Sequence, residues 1–161
     1  MNSVARRYRV AIIGRTGRGN YGHSLDLAAR TYPGFDIVAV ADENPEGLRR
    51  AAERLRPLRL YQDYRQMLHH ERPEIVVVGP RWADCHLEMV LAAAEVGASV
   101  LVDKPMARTP AECDRMIEAC DRAGVKLVVA YNTRIVPRSR FGRATGARRL
   151  HWRAAGTAGP R

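Results

Sequence analysis

Six short apolar runs recur before residue 131, each followed by a stretch of helical spacing, and this alternation constrains the fold more than any single motif. Tyr8 to Ile13, Phe35 to Ala41, Arg59 to Tyr61, Glu74 to Gly79, Ser99 to Asp103 and Val125 to Ala130 read as strands. Val10 to Ile13 is apolar without interruption, as in strands buried on both faces. Helices are expected over residues 21–30, after an Asn44 cap with Pro45 in the first turn, after Asp63, over 83–96, and from Thr109 to Gly124. The last opens on the capping box Thr109-Pro110-Ala111-Glu112. Expected buried faces are Leu48, Ala51, Ala52 and Leu55, then Leu87, Val90, Leu91 and Ala94, then Cys113, Met116, Ile117 and Cys120. Strands and helices alternating at this spacing predict an α/β fold, a doubly wound parallel sheet of the Rossmann type.

The net charge of +10 invites a nucleic-acid reading, but its distribution argues against one. Seven arginines lie after Pro137, leaving 20 basic against 17 acidic residues up to that point. The folded part is therefore nearly balanced. A nucleic-acid site would have to be built from Arg138, Arg140, Arg143, Arg148, Arg149 and Arg153 with Phe141 and Trp152, and these show no amphipathic period. Cys85, Cys113 and Cys120 form no metal-binding spacing. An odd thiol count without a signal-peptide core, and no apolar run of spanning length, predicts a cytoplasmic chain with no membrane contact.

Chemistry-bearing residues gather where strands end. Gly14-Arg15-Thr16-Gly17-Arg18-Gly19-Asn20-Tyr21-Gly22 links the first strand to the first helix, and Gly17, Gly19 and Gly22 fit the GxGxxG spacing. Glycines there permit a sharp reversal and let a pyrophosphate approach backbone N–H groups. Asp42 ends the second strand, where a carboxylate accepts from both hydroxyls of an adenosine ribose and repels a 2′-phosphate, favouring NAD over NADP. Gly79-Pro80-Arg81-Trp82 leaves the fourth strand and His86 follows in the next helix. Asp103-Lys104-Pro105 leaves the fifth. Only Lys104 and Lys126 among the 27 basic residues are lysine, and an ammonium, unlike a guanidinium, serves as acid or base.

These motifs, with Tyr131-Asn132-Thr133-Arg134 after the sixth strand, resemble the N-terminal Rossmann domain of the Gfo/Idh/MocA family over roughly residues 7–137. The resemblance implies an NAD(P)-dependent oxidoreductase that moves a hydride between nicotinamide and a sugar, inositol or related polyol. It places Gly14, Gly17 and Gly19, with Arg15, Thr16 and Arg18 beside them, on the pyrophosphate and Asp42 on the ribose. Gly79, Pro80, Arg81, Trp82 and His86 lie along the nicotinamide side. Lys104 contacts substrate and nicotinamide and, with His86, is the catalytic candidate; Asn132 and Arg134 close the cleft. Asp103 stands where the family usually has Glu.

The resemblance also implies a C-terminal domain that supplies most of the substrate pocket, the usual oligomer interface and a catalytic histidine. Residues 138–161 contain no acid and, of the histidines, His151 alone. Their Arg, Ala and Gly content predicts a disordered tail or the frame-shifted reading of a longer gene, behind a dinucleotide-binding domain at 1–137. A non-catalytic dinucleotide-binding module, truncated from a dehydrogenase, is the alternative to an active enzyme.

Overall fold

The computed structural model describes residues 6–131, and the first compact unit ends at Ala130. Six strands, β1 (Tyr8–Ile13), β2 (Phe35–Ala41), β3 (Arg59–Tyr61), β4 (Ile75–Val78), β5 (Ser99–Asp103) and β6 (Leu127–Ala130), form one sheet in the order β3-β2-β1-β4-β5-β6. All neighbouring pairs are parallel. This is the doubly wound order expected from the alternation of elements.

Each connection is a helix: α1 (Leu25–Thr31), α2 (Pro45–Leu55), α3 (Tyr64–Glu71), α4 (His86–Glu95) and α5 (Pro110–Ala123). The caps match local chemistry. Asn44 Oδ1 accepts from Gly47 N, Asp63 Oδ1 from Arg65 N, and Thr109 Oγ1 from Glu112 N. Gly124, with φ of 66°, ends α5 in the left-handed conformation that glycine adopts freely.

Successive strand residues face opposite sides of the sheet. Ala11, Ile13, Val76, Val78, Val100 and Val102 pack under α3, α4 and α5, against Met67, Val90, Met116 and Cys120. Val10, Ile12, Val40 and Val77 pack under α1 and α2, against Leu25, Ala29, Leu48 and Leu55. Five expected core positions differ: Ile117 is 46% exposed, and Ala52, Leu87, Leu91 and Cys113 are only partly buried, so the buried stripe of α5 is Met116 and Cys120.

The largest departure is at α1, which starts at Leu25 and not near Tyr21. Gly22 and Ser24 both take positive φ, 63° and 64°, so the chain cannot enter the helix until it has passed them. Register sets the rest. Ile13 pairs with Ala41 and with Val78, and Val78 with Val102. Gly14, Asp42, Gly79 and Asp103 therefore line up at one edge, around the point between β1 and β4 where the winding reverses.

Candidate functional site at the carboxyl edge of the sheet

The glycine turn folds as a miniature hairpin. Arg15 N donates to Asn20 O at 3.0 Å and Asn20 N to Arg15 O at 2.9 Å, while Gly17 N donates to Asn20 Oδ1. Tyr21 then lays its ring on Gly14, where a Cβ would lie 2.2 Å from the ring. Gly19 meets the next loop: a Cβ there would lie 2.5 Å from Arg81 N, which donates to Gly19 O. Of the turn's glycines, only Gly17, with φ of 87°, has nothing within 4 Å of the Cβ position. Gly14 and Gly19 are thus required by the turn's own packing, and Gly17 presents the open face.

Asp42 locks the turn to β2. Its carboxylate accepts from Thr16 N at 3.1 Å, from Thr16 Oγ1 at 2.6 Å and from Asn44 N at 3.0 Å, and the residue is 1% exposed. A carboxylate offers about four lone-pair positions. Thr16 N reaches both oxygens, so these donors engage each side of the Asp42 carboxylate and fix its direction. The Tyr21 hydroxyl is buried beside Asp42 without a well-formed hydrogen bond. Burial, and then the Asp42 charge, pushes its ionisation far up, so it stays a phenol.

The loop after β4 covers the turn. The Arg18 guanidinium reaches Asp84 Oδ2 at 2.5 Å and lies 6.0 Å from the centre of the half-exposed Trp82 ring. Arg15 runs beneath, its buried Nε 3.5 Å from Glu43 Oε2 and without a hydrogen bond among the described residues. The Cys85 thiol donates to Trp82 O; burial and then Asp84 push its ionisation up, which makes it inert packing.

The Lys104 loop is held from both sides. Asp103, fully buried, accepts from Lys104 N at 2.8 Å, from His23 N at 3.0 Å and from His23 Nδ1 at 2.7 Å. Lys104 is partly buried and joins Pro105 through a cis peptide. Beyond it, His86 Nδ1 lies 3.0 Å from Pro105 O and 3.1 Å from Met106 O, and Nε2 lies 2.6 Å from Pro80 O. This corrects the expectation for His86. It is 0% exposed, and both nitrogens are turned to backbone carbonyls. It pins two loops together and presents nothing to a substrate.

Of the residues expected at the site, Gly14 to Gly19, Asp42, Gly79 to Trp82 and Lys104 all come together along this edge. Asn132 and Arg134 lie outside the described residues. His23 was not anticipated; the signal for it is its place directly after Gly22, where the turn passes the end of β5. Among the described residues no His, Cys, Asp and Glu group is arranged to hold a metal ion. Among the described residues, grooves of about 630 and 570 Å³ lie elsewhere, by His69 and His70 and over Val77 and Leu101. At this edge a cavity of about 10 Å³ lies by Gly14 and Asp42. The open Gly17 face and the Arg15 and Arg18 guanidiniums fit a dinucleotide.

Comparison with known proteins agrees. The sequence model of the Gfo/Idh/MocA family, described as an oxidoreductase family with an NAD-binding Rossmann fold, matches residues 8–131. The chain is 35% identical over 135 residues to a D-apiose dehydrogenase of Paraburkholderia graminis, covering 84% of this chain and 35% of that protein. It is 35% identical over 125 residues to an inositol 2-dehydrogenase of Gluconacetobacter diazotrophicus, covering 76% and 37%. Among solved structures, the WlbA dehydrogenase of Bordetella pertussis, in complex with NADH and UDP-GlcNAcA, superposes with a TM-score of 0.69 at 26% identity, covering 80% of this chain and 36% of that one. The chain spans about a third of the length of the curated relatives it matches.

Proposed function

Because the chain belongs to the Gfo/Idh/MocA oxidoreductase family, we propose that its strand-end site holds a nicotinamide dinucleotide, NAD in preference to NADP, for oxidation of a hydroxyl-bearing carbon of a sugar, inositol or related polyol. A bound nicotinamide supplies the hydride acceptor; the remaining work falls to this chain's side chains. Gly17, Arg15 and Arg18 hold the pyrophosphate on the open face of the turn. Asp42 is the carboxylate offered to the adenosine ribose, with Thr16 fixing its direction. Pro80, Arg81 and Trp82 wall the nicotinamide side. Lys104 Nζ, acting as the free amine, accepts a hydrogen bond from the substrate hydroxyl and takes its proton as the adjacent C–H hydride leaves. In the reverse direction it returns that proton. In this reading residues 1–137 are the dinucleotide domain of a cytoplasmic enzyme and 138–161 an arginine-rich extension.

The observation that carries the proposal is the alignment of the glycine turn, Asp42, Gly79 and Lys104 on one edge of the sheet, at the reversal point where open α/β sheets bind ligands. The test is a titration of the full chain with NADH, read by nicotinamide fluorescence. The expected result is saturable binding, with NADPH weaker by roughly tenfold. A folded chain that binds neither dinucleotide would overturn the reading. For catalysis, Lys104→Met is expected to leave NADH binding nearly intact and to remove turnover across a panel of inositols and sugars. Unchanged turnover would remove the role given to Lys104.

A further inference from the structure

We infer that His23 is a positioning residue for Lys104, acting through Asp103; this rests on the role proposed for Lys104 above. Asp103 ends β5, and His23 lies 80 residues earlier in the chain, at the end of the glycine turn. One carboxylate joins them. Asp103 Oδ2 accepts from the His23 amide at 3.0 Å and from Nδ1 at 2.7 Å, while Oδ1 accepts from the Lys104 amide at 2.8 Å. The carboxylate only accepts, so His23 Nδ1 carries the proton and donates it. Because Asp103 is fully buried, no water replaces a lost donor, and each of the three is needed.

The approach is close enough to dictate sequence. At Gly22 a Cβ would lie 2.1 Å from Asp103 Oδ2 and 2.2 Å from Gly79 O, and φ is 63°. Glycine there lets the turn press against β4 and β5, which brings the His23 amide and ring onto the same oxygen. On the far side of Lys104, His86 bridges Pro105 O and Pro80 O. The lysine therefore sits between two histidine-braced segments, of which the His23 side belongs to the dinucleotide turn. Displacement of that turn, as by a bound pyrophosphate, is transmitted to the lysine backbone through one carboxylate.

The chain has only two lysines, Lys104 and Lys126, so labelling it with 15N-lysine gives two backbone amide signals. Both amides donate to a side chain, Lys104 to Asp103 and Lys126 to Ser99 Oγ, which makes Lys126 an internal control. In His23→Leu, hydrogen exchange of the Lys104 amide is expected to speed up by at least about tenfold while Lys126 stays within twofold. His23→Asn, which keeps a donor near the Nδ1 position, is expected to restore most of the protection. A folded His23→Leu chain with an unchanged Lys104 amide overturns the inference, as does an equal change at both lysines, which would mean general loosening. Should His23→Leu not fold, the imidazole 15N spectrum of the unaltered chain decides. A protonated, strongly downfield Nδ1–H supports the brace, and an unprotonated Nδ1 overturns it. Neither experiment uses a dinucleotide or a substrate, so failure of NADH binding and failure of the brace are told apart.

Discussion

Among the described residues four carboxylates are buried along the sheet and its helices, and they are satisfied in two different ways. On the flank, Glu71 accepts from Arg59 Nη1 at 2.7 Å, Tyr61 Oη at 2.7 Å and Arg9 Nη2 at 3.3 Å, and Asp26 accepts from Arg54 Nη2 at 2.6 Å. At the candidate site, Asp42 and Asp103 have no arginine; they are held by backbone amides, the Thr16 hydroxyl and His23 Nδ1. The flank acids are charge-paired struts. The site acids are held by groups that fix direction, so each orients a neighbour: Asp42 the turn, Asp103 the lysine loop. Arginine would fill every acceptor position with a long side chain; amides and a hydroxyl leave the edge compact.

This contrast predicts a graded set of effects. The largest belongs to Gly22→Ala, whose methyl group enters the Asp103 contact at a strained φ. A loss of about 2–4 kcal/mol in urea unfolding is expected, together with loss of NADH binding. A fully stable Gly22→Ala would break the account of how the turn reaches β5. Glu71→Gln comes next, at about 1–3 kcal/mol, because it removes the charge that gathers two arginines. Burial pushes the Glu71 carboxyl up, but the Arg59 and Tyr61 hydrogen bonds outweigh it and leave it below its ordinary 4.5. A lowered folded value contributes stability above the unfolded value, and that contribution fades as the pH falls below about 4.5. The unaltered chain should therefore lose stability faster on acidification than Glu71→Gln; parallel curves would contradict the strut.

Smaller effects sharpen the site side. Thr16→Val is expected to cost about 1 kcal/mol of stability and several-fold in NADH affinity, since it frees Asp42 from its hydroxyl donor. Gly17→Ala should cost a similar amount through its positive φ alone, having open space for the methyl group. If Gly17→Ala proved as damaging as Gly22→Ala, the distinction between an open and a closed glycine would fail. Smallest is Arg49→Ala, which breaks only exposed pairs with Glu46 and Glu53 and should leave the melting temperature unchanged.

Much of this is legible in the sequence because it is local. The bounds of β1, β2, β3 and β5, and the Asn44, Asp63 and Thr109 caps, follow from apolar runs and residues a few positions apart. The glycine turn, Asp42 and Lys104 were legible as strand-end residues. The pairings between them were not. Nothing near His23 signals a partner 80 residues away, and the Thr16 donors to Asp42 lie 26 residues before it. His86 misleads for the converse reason: a polar residue in a helix's first turn looks available, but the helix rotates it inward onto Pro80 and Pro105. The late start of α1 belongs to the same class, since glycine spacing alone does not reveal the positive φ of Ser24.

The central claim is that this edge of the sheet receives a nicotinamide dinucleotide beside Lys104. The most direct measurement is a titration of the 15N-lysine-labelled chain with NAD, following its two amide signals. The account predicts that the Lys104 signal moves and saturates while Lys126, at the start of β6 on the opposite edge, stays where it is. A Lys104 signal unmoved at saturating NAD, or movement confined to Lys126, would contradict it.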